Sequence, residues 1–439
     1  MTALQAAHQA ADEYFTMRHT EAWDTTFIIP QADIDADMKL FQDFNYDFTE
    51  LCKYKQGKLA SNRISPARIR SIFGTTGARV PGVDLRDIAI LLEFAANGIT
   101  PPVAPSFQPQ AINVPPLRDR YIKLQHPINR LLYKQYTDGT MILLLLQLAQ
   151  QIPGVHFSPQ HHADSKGKPE GRVIGDLTGQ HDEHYTPLNG SLHDKDDLRE
   201  TIRQQWGDIK HPTVDELVKM VLTSADINGW DNIILWKKDL KGAFNLLNYN
   251  PEYCKYFSFP LINDVVVIHL AGLFGWIGMP HAFNDSELVD SNVQQLLGQG
   301  SIAKAKSQAE RRLEFLGWEF DLDTRTITLC SRNMNKFVHA LFSFKPEDKI
   351  SISHIQRLAS LMSRTSLLSR HMRPYTHTLH IIISGYVQPH VKISLSELAQ
   401  SDIMMWRAFT LLLIANPTRL SRSMESFRPQ AIVLSTTHR

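Results

Sequence analysis

Apolar residues recur with helical spacing in some segments of the chain and alternate or run together in others. Within 84–96, Ile88, Leu91, Leu92 and Ala95 fall at i, i+3, i+4 and i+7. That spacing predicts a helix with one buried face, Asp84 as its N-cap and Gly98 as its stop. Further helical patterns run over 126–152, interrupted at Asp138-Gly139, and over 213–225. The latter opens on Thr213-x-x-Glu216, a capping-box pattern, and places Leu217, Met220 and Val221 on one face. Strands are expected at 172–177 and, as a buried one, at 232–240, after which Gly242 to Leu247 reads as a helix start. "CKYFSF" and "DVVVIHLAG" suggest a hairpin around Asn263-Asp264. A helix is expected past Ile277, a strand–turn–strand over 312–329, and a mainly helical end. Helices and strands interleave without a strict βαβ repeat, which favours an α+β fold over a doubly wound sheet.

Between the helical first hundred residues and the rest lies 101–116, with six prolines in sixteen residues. Such a stretch can form neither a helix nor a central strand, and it is expected to be an extended linker at a domain boundary. The apolar run "MILLLLQLA" at 141–149 is nine residues long, far short of the roughly 20 that a membrane helix needs. The start of the chain carries acidic residues and no long apolar core, unlike a signal peptide. The expectation is a soluble, intracellular protein of the cytoplasm or nucleus, with no membrane partner.

The 439 residues balance 46 basic against 45 acidic side chains, a net charge of +1 that argues at first against a nucleic-acid partner. The charge is unevenly spread. Residues 301–439 carry 19 basic and 10 acidic residues, a net +9, and the first 300 carry a net −8. A basic last third on an acidic front suggests an anionic partner for the C-terminal part, or else only a solvated basic surface. Cys52, Cys254 and Cys330 are far apart in sequence and form no C-x-x-C pair, so neither a disulfide framework nor a zinc site is expected. His161-His162 has no cysteine or acidic neighbour at ligand spacing and reads as a pair of solvated loop histidines. No G-x-S-x-G elbow supports a hydrolase.

The segment "ILWKKDLKGAFNLL" at 234–247 is the most informative for chemistry. An apolar strand delivers Asp239 at its end, and the small residues Gly242 and Ala243 then bring Phe244 close. A carboxylate so placed can admit a divalent cation and a nucleotide, or can simply cap the following helix. Other segments follow the same logic. In "SKGKPEGRVIGDLTG", Lys166, Lys168 and Arg172 precede a strand ending in Asp176, with Leu188-Asn189 downstream. In "LFGWIGMPHAF", a Phe-Gly turn leads to Pro280 and Phe283. In "SIAKAKSQAERRLEFLGWEF", Lys304 and Lys306 precede Phe315-Leu316-Gly317.

This order of motifs resembles the reverse transcriptases of retrotransposons, DIRS-like or LTR-like, over roughly 117–394. The resemblance implies a right-hand polymerase: fingers and a ferredoxin-like palm over 117–330, then a helical thumb or connection over 331–425. It implies that Arg172, with Lys166 or Lys168, grips the triphosphate of an incoming dNTP, and that Asp239 binds catalytic Mg2+ (or Mn2+). Phe244 would be the steric gate against a ribose 2′-hydroxyl. Gly275 and Pro280 would line the template and nucleotide, Lys306 would be the later palm lysine, and Phe315 and Gly317 would belong to the primer grip. Arg357 and Arg364, seven residues apart, share one face of a helix whose apolar stripe is Ile355, Leu358, Ala359 and Met362. They would touch the backbone of the RNA template or DNA primer.

The family also requires paired aspartates on a tight palm hairpin between the "FG…P" helix and the later lysine. Here only Asp285 and Asp290 lie between those points, neither in an apolar hairpin context, and the only adjacent aspartates in the chain are Asp196-Asp197. The palm is expected to be internally deleted near 284–285, by real loss or by coding sequence skipped as an intron. Genomic DNA across that point distinguishes the two. Two cations about 3.5–4 Å apart need several carboxylates, so polymerase activity is not expected of this chain. The end, 426–439, resembles the first strand of a ribonuclease H domain without its carboxylates. The competing expectations are a non-catalytic nucleic-acid-binding protein using the basic last third, and an unrelated helical interaction protein.

Overall fold

A computed structural model describes residues 26–58, 64–73, 85–165, 168–179, 185–190, 194–209, 213–237, 242–286, 307–345, 347–386 and 388–420. The chain is mixed helix and sheet, and among the described residues every pairing between named strands is antiparallel. It divides into two compact units, one of residues 1–210 with 240–303, the other of 211–239 with 304–439.

The first unit is built on a three-stranded sheet in which Val265–His269 lies between Met141–Leu145 and Ser258–Pro260. Register runs Met141↔His269 to Leu145↔Val265 on one side and Ser258↔Ile268 to Pro260↔Val266 on the other. The Ser258–Pro260/Val265–His269 hairpin is the expected one. Asn263 and Asp264 both take positive φ, 58° and 56°, as the turn favoured by twisted hairpins demands. Met141–Leu145 was expected to continue a helix. The helix ends at Thr137 instead, and "MILLL" forms a strand whose first four residues are buried. An unbroken apolar run carries no periodicity, and burial on both faces of a sheet suits it equally well.

The helix Gln31–Asp43 packs on that strand through Ile34, Phe41 and the carboxylate of Asp37, which is 1% exposed. Asp37 Oδ2 accepts the Leu143 amide at 2.9 Å, and Oδ1 pairs with Lys55 from the helix Phe48–Gly57. An amide on the open edge of the sheet is thereby satisfied away from water. The helix Leu85–Asn97 forms as expected, burying Ile88 and Leu91 together with Phe94; the Asp84 cap lies outside the described residues. The proline-rich stretch has neither helix nor strand, and it runs within the first unit with Ala104 buried in its core.

The second unit holds a four-stranded antiparallel sheet ordered Thr418–Arg419, Thr326–Leu329, Trp318–Asp321, Arg312–Phe315. Its helix Val214–Asn228 carries the complete capping box, Thr213 and Glu216 each bonding the other's backbone amide. The buried face is Val218, Val221, Leu222 and Ala225. Met220, expected inside, is 64% exposed, because the apolar stripe starts one residue later than the pattern suggested. The 232–240 strand is also corrected. Among the described residues the paired strand is Leu235–Lys237, against Gln308–Glu310, with Trp236 63% exposed, and 238–240 lie outside the described residues. The helix Ile352–Thr365 buries the whole expected stripe of Ile355, Leu358, Ala359 and Met362. Among the described residues one helix, Glu397–Ala415, is long and apolar enough to cross a membrane by length and composition alone. Trp406, Ile403 and Asp402 on it are buried, and Asp402 accepts the Thr378 hydroxyl at 2.6 Å.

Candidate functional site

Three segments distant in sequence meet on the first unit. The hairpin of Gln160–Ser165 and Lys168–Gly175 pairs Ala163 with Arg172 and Gln160 with Gly175. This strand ends against the Phe274-Gly275 turn, where the Gly175 amide donates to the Phe274 carbonyl at 3.0 Å. Gly275 takes φ 118°, and a Cβ placed on it would lie 2.0 Å from the Gly175 carbonyl oxygen. Only glycine allows backbone to rest on backbone here.

The side chain of Asn189 fixes the same turn. Its amide nitrogen donates to the Gly275 carbonyl at 2.7 Å and to the Thr178 hydroxyl at 3.0 Å, and its oxygen accepts from the Ile277 amide at 3.1 Å. Asn189 is 2% exposed. The sequence placed it among the ordered motifs without giving it a task. Asp176, at the end of the hairpin strand, is an internal brace: it pairs with Arg118 and accepts the Gly179 amide at 2.9 Å.

On this frame Phe274 stands half in solvent. The Arg172 guanidinium lies over its ring at 5.5 Å from the centroid, and the Phe244 ring packs against it at 4.8 Å and 53°. Phe244 is held on a 3-10 turn, Ala243–Leu246, rather than on the longer helix that "GAFNLL" suggested. Pro280 is exposed near the start of the helix Met279–Ser286, and the next aromatic, Trp276, is buried among Trp206, Tyr249 and Phe257. Arg172, Phe244, Phe274 and Gly275 therefore form one partly exposed cation–aromatic surface. It can grip an anion and stack a planar or sugar group beside it.

The other expected nucleotide-binding residues are less defined. Lys168 lies in the same strand as Arg172, four residues before it. Lys166, Asp239 and Lys306 lie outside the described residues, as does the 287–306 segment that follows the helix Met279–Ser286. Among the described residues, no three His, Cys, Asp or Glu side chains are grouped to hold an ion. Asp239, which the resemblance makes the metal ligand, is not among them. His161-His162 is corrected. The pair lies in the hairpin strand Gln160–Ser165, not in a loop, and His162 is buried over Gly171.

In the second unit Phe315 and Gly317 sit on the hairpin Arg312–Phe315/Trp318–Asp321, whose two turn residues, Leu316 and Gly317, have φ 49° and 78°. The turn is clamped. The Gly317 carbonyl accepts from the Cys330 amide and the Asn333 side chain, each at 3.1 Å. Arg364 donates to the Leu316 carbonyl and lies over the Trp318 ring at 5.7 Å. Burial lowers the Arg364 pKa from its ordinary value, as expected of a guanidinium engaged with protein rather than water. Arg357, two turns earlier, is exposed.

No protein-family model matches the chain, and no curated protein does. Among solved structures it is similar to foamy viral protease-reverse transcriptases. One, lettered dRH, is in complex with double-stranded DNA: TM-score 0.43, 10% identity, covering 80% of this chain and 60% of that one. A second, with an RNA/DNA hybrid, gives a TM-score of 0.42 and 12% identity over 80% of this chain and 46% of that one. A third, with double-stranded DNA, gives 0.40 and 12% over 79% and 71%. The chain thus spans less than two thirds of the first two.

Proposed function

We propose that the chain is a reverse-transcriptase-like retroelement protein that binds a template–primer duplex and a dNTP but does not extend the primer. The observation that carries this reading is the meeting of Arg172, Phe274, Phe244 and Gly275 on the first unit. The resemblance in the order of motifs implies a nucleotide-binding role for Arg172, Phe244 and Gly275, and Phe274 lies between them. In that site Arg172, with Lys166 or Lys168, neutralises the triphosphate, Phe244 stands against the ribose 2′ position, and the Gly275 turn lines the nucleotide. Asp239 is the single palm carboxylate that the sequence retains, and one carboxylate does not hold two Mg2+ ions in register.

The nucleic-acid partner is supported separately by the basic last third, where Arg357 faces solvent and the Phe315–Gly317 turn is held rigid. A protein that neutralises phosphates loses affinity steeply with salt. Titration of the full chain with a primer–template duplex at increasing salt tests the proposal. Binding that falls log-linearly with salt and is weakened by Arg357→Ala supports it; no binding at low salt removes it.

A further inference from the structure

We propose that the chain pairs with a second copy of itself through the helix Glu397–Ala415, the two helices lying antiparallel across a two-fold axis. Three charged side chains lie in this helix. Glu397 is its first residue. Asp402 is buried and accepts the Thr378 hydroxyl, and Arg407 turns its guanidinium to the Leu341 and Phe344 carbonyls at 3.0 and 2.6 Å. From Leu398 to Ala415, therefore, the exposed positions carry no charge. They carry instead Leu398, Met404, Met405, Leu411 and Leu412, between 43% and 64% exposed, around the small residues Ser401, Ala408 and Ala415. The opposite face, with Trp406 and Leu413, is the one that its own unit buries. The outward patch is roughly 500 Å², near the upper end of what a monomer leaves uncovered. Covered on two copies it removes about 1,000 Å² from water, the size at which an interface becomes specific.

The order of side-chain sizes selects the occupant and its direction. Leu398, Met405 and Leu412 stand seven residues apart, and so do Ser401, Ala408 and Ala415. These are the two core rows of a heptad, one large and one small. In a parallel pair each row would meet itself, large on large and small on small. In an antiparallel pair with its axis between Met405 and Ala408, Leu398 comes opposite Ala415, Met405 opposite Ala408 and Leu412 opposite Ser401. Every large side chain then enters the gap over a small one. Met404 and Leu411 close the contact along one side. At a net charge of +1 per chain, two copies carry little mutual repulsion.

The test is sedimentation of the full chain over about a hundredfold range of concentration. The expected result is a species of twice the chain's mass that dissociates on dilution. Ala408→Glu and Leu412→Glu should each raise the dissociation constant at least about tenfold, with an unchanged circular dichroism spectrum, because each leaves a charge in an apolar contact. Met220→Glu, at another exposed apolar residue of the same unit, should leave the dimer intact. Cross-linking reads the direction. Chains carrying Ser401→Cys and chains carrying Leu412→Cys should join to each other under mild oxidation, and Ser401→Cys chains alone should not. A monomer at every concentration, a monomer that instead floats with anionic phospholipid vesicles, a dimer indifferent to both glutamate variants, or Ser401→Cys chains joined to themselves would overturn the proposal. The cross-linked pair locates the contact even if a glutamate variant fails to fold.

Discussion

The guanidinium of Arg172 rests over the ring of Phe274, 5.5 Å from its centroid, and so holds a cation at the rim of the surface that Phe244 completes. A cation poised on an aromatic face stays available to an incoming phosphate while its position is fixed. Arg172→Ala should weaken dNTP binding to the duplex-bound protein by about 10- to 100-fold, the worth of one or two charge-assisted hydrogen bonds. Arg172→Lys should lie between. Fluorescence titration with a labelled primer–template reads both, and unchanged dNTP affinity in Arg172→Ala would remove Arg172 from the site.

In the proposed site Phe244 would act by occupying space, so its removal should change selectivity more than affinity. Phe244→Ala should bring dNTP and rNTP affinities close together while leaving duplex binding intact. Competition binding of the two nucleotide types measures the ratio. A ratio equal to that of the unsubstituted protein would contradict the gate.

Gly275 tests the frame rather than the ligand. A methyl group there meets the Gly175 carbonyl oxygen at 2.0 Å on a backbone at φ 118°. Gly275→Ala should therefore destabilise the first unit by about 2–4 kcal/mol, combining backbone strain with overpacking. Urea unfolding checks this, and a loss below about 0.5 kcal/mol would mean that the strand and turn part easily.

The parts of this frame that the sequence disclosed are those with a local cause. Thr213 and Glu216 stand three residues apart, Asn263-Asp264 separates two β-rich runs, and Ile355 to Met362 repeat at helical spacing; each became the element expected. The exposed Arg357 was legible for the same reason. What escaped depends on partners distant in the chain. Asn189 matters because Gly275 and Ile277 come to it, and Arg364 because the Leu316 turn does. His162 is buried only because a second strand offers Gly171 beneath it. Met141–Leu145 was misread because five successive apolar residues have no period to read.

His269 gives the first unit a pH dependence. Burial within the sheet lowers its pKa from 6.5 to about 3, so the folded chain keeps it neutral where the unfolded chain protonates it. The unfolded state then binds more protons between those values, and stability rises with pH across that window. The contribution is full above pH 6.5 and is lost as pH falls towards 3, at up to about 1.4 kcal/mol per pH unit. His269→Phe should flatten the urea-midpoint profile in that range by about one proton. An equal slope in both proteins would show that another group governs it.

A buried ion pair tests how the helix Gln31–Asp43 is joined to the sheet. Asp37→Ala leaves Lys55 and the Leu143 amide without their carboxylate, and should cost about 3–5 kcal/mol. The double variant Asp37→Leu/Lys55→Met should recover much of that loss, because it removes both charges together. Chemical denaturation of the three proteins reads the cycle, and a double variant less stable than Asp37→Ala would contradict it.

The most direct test is primer extension by the full chain on a template–primer duplex to which it is bound, with Mg2+ and then with Mn2+. The proposal that Asp239 is the single palm carboxylate predicts a salt-sensitive complex and no templated incorporation with either ion. Sustained, template-directed addition of nucleotides would contradict the account.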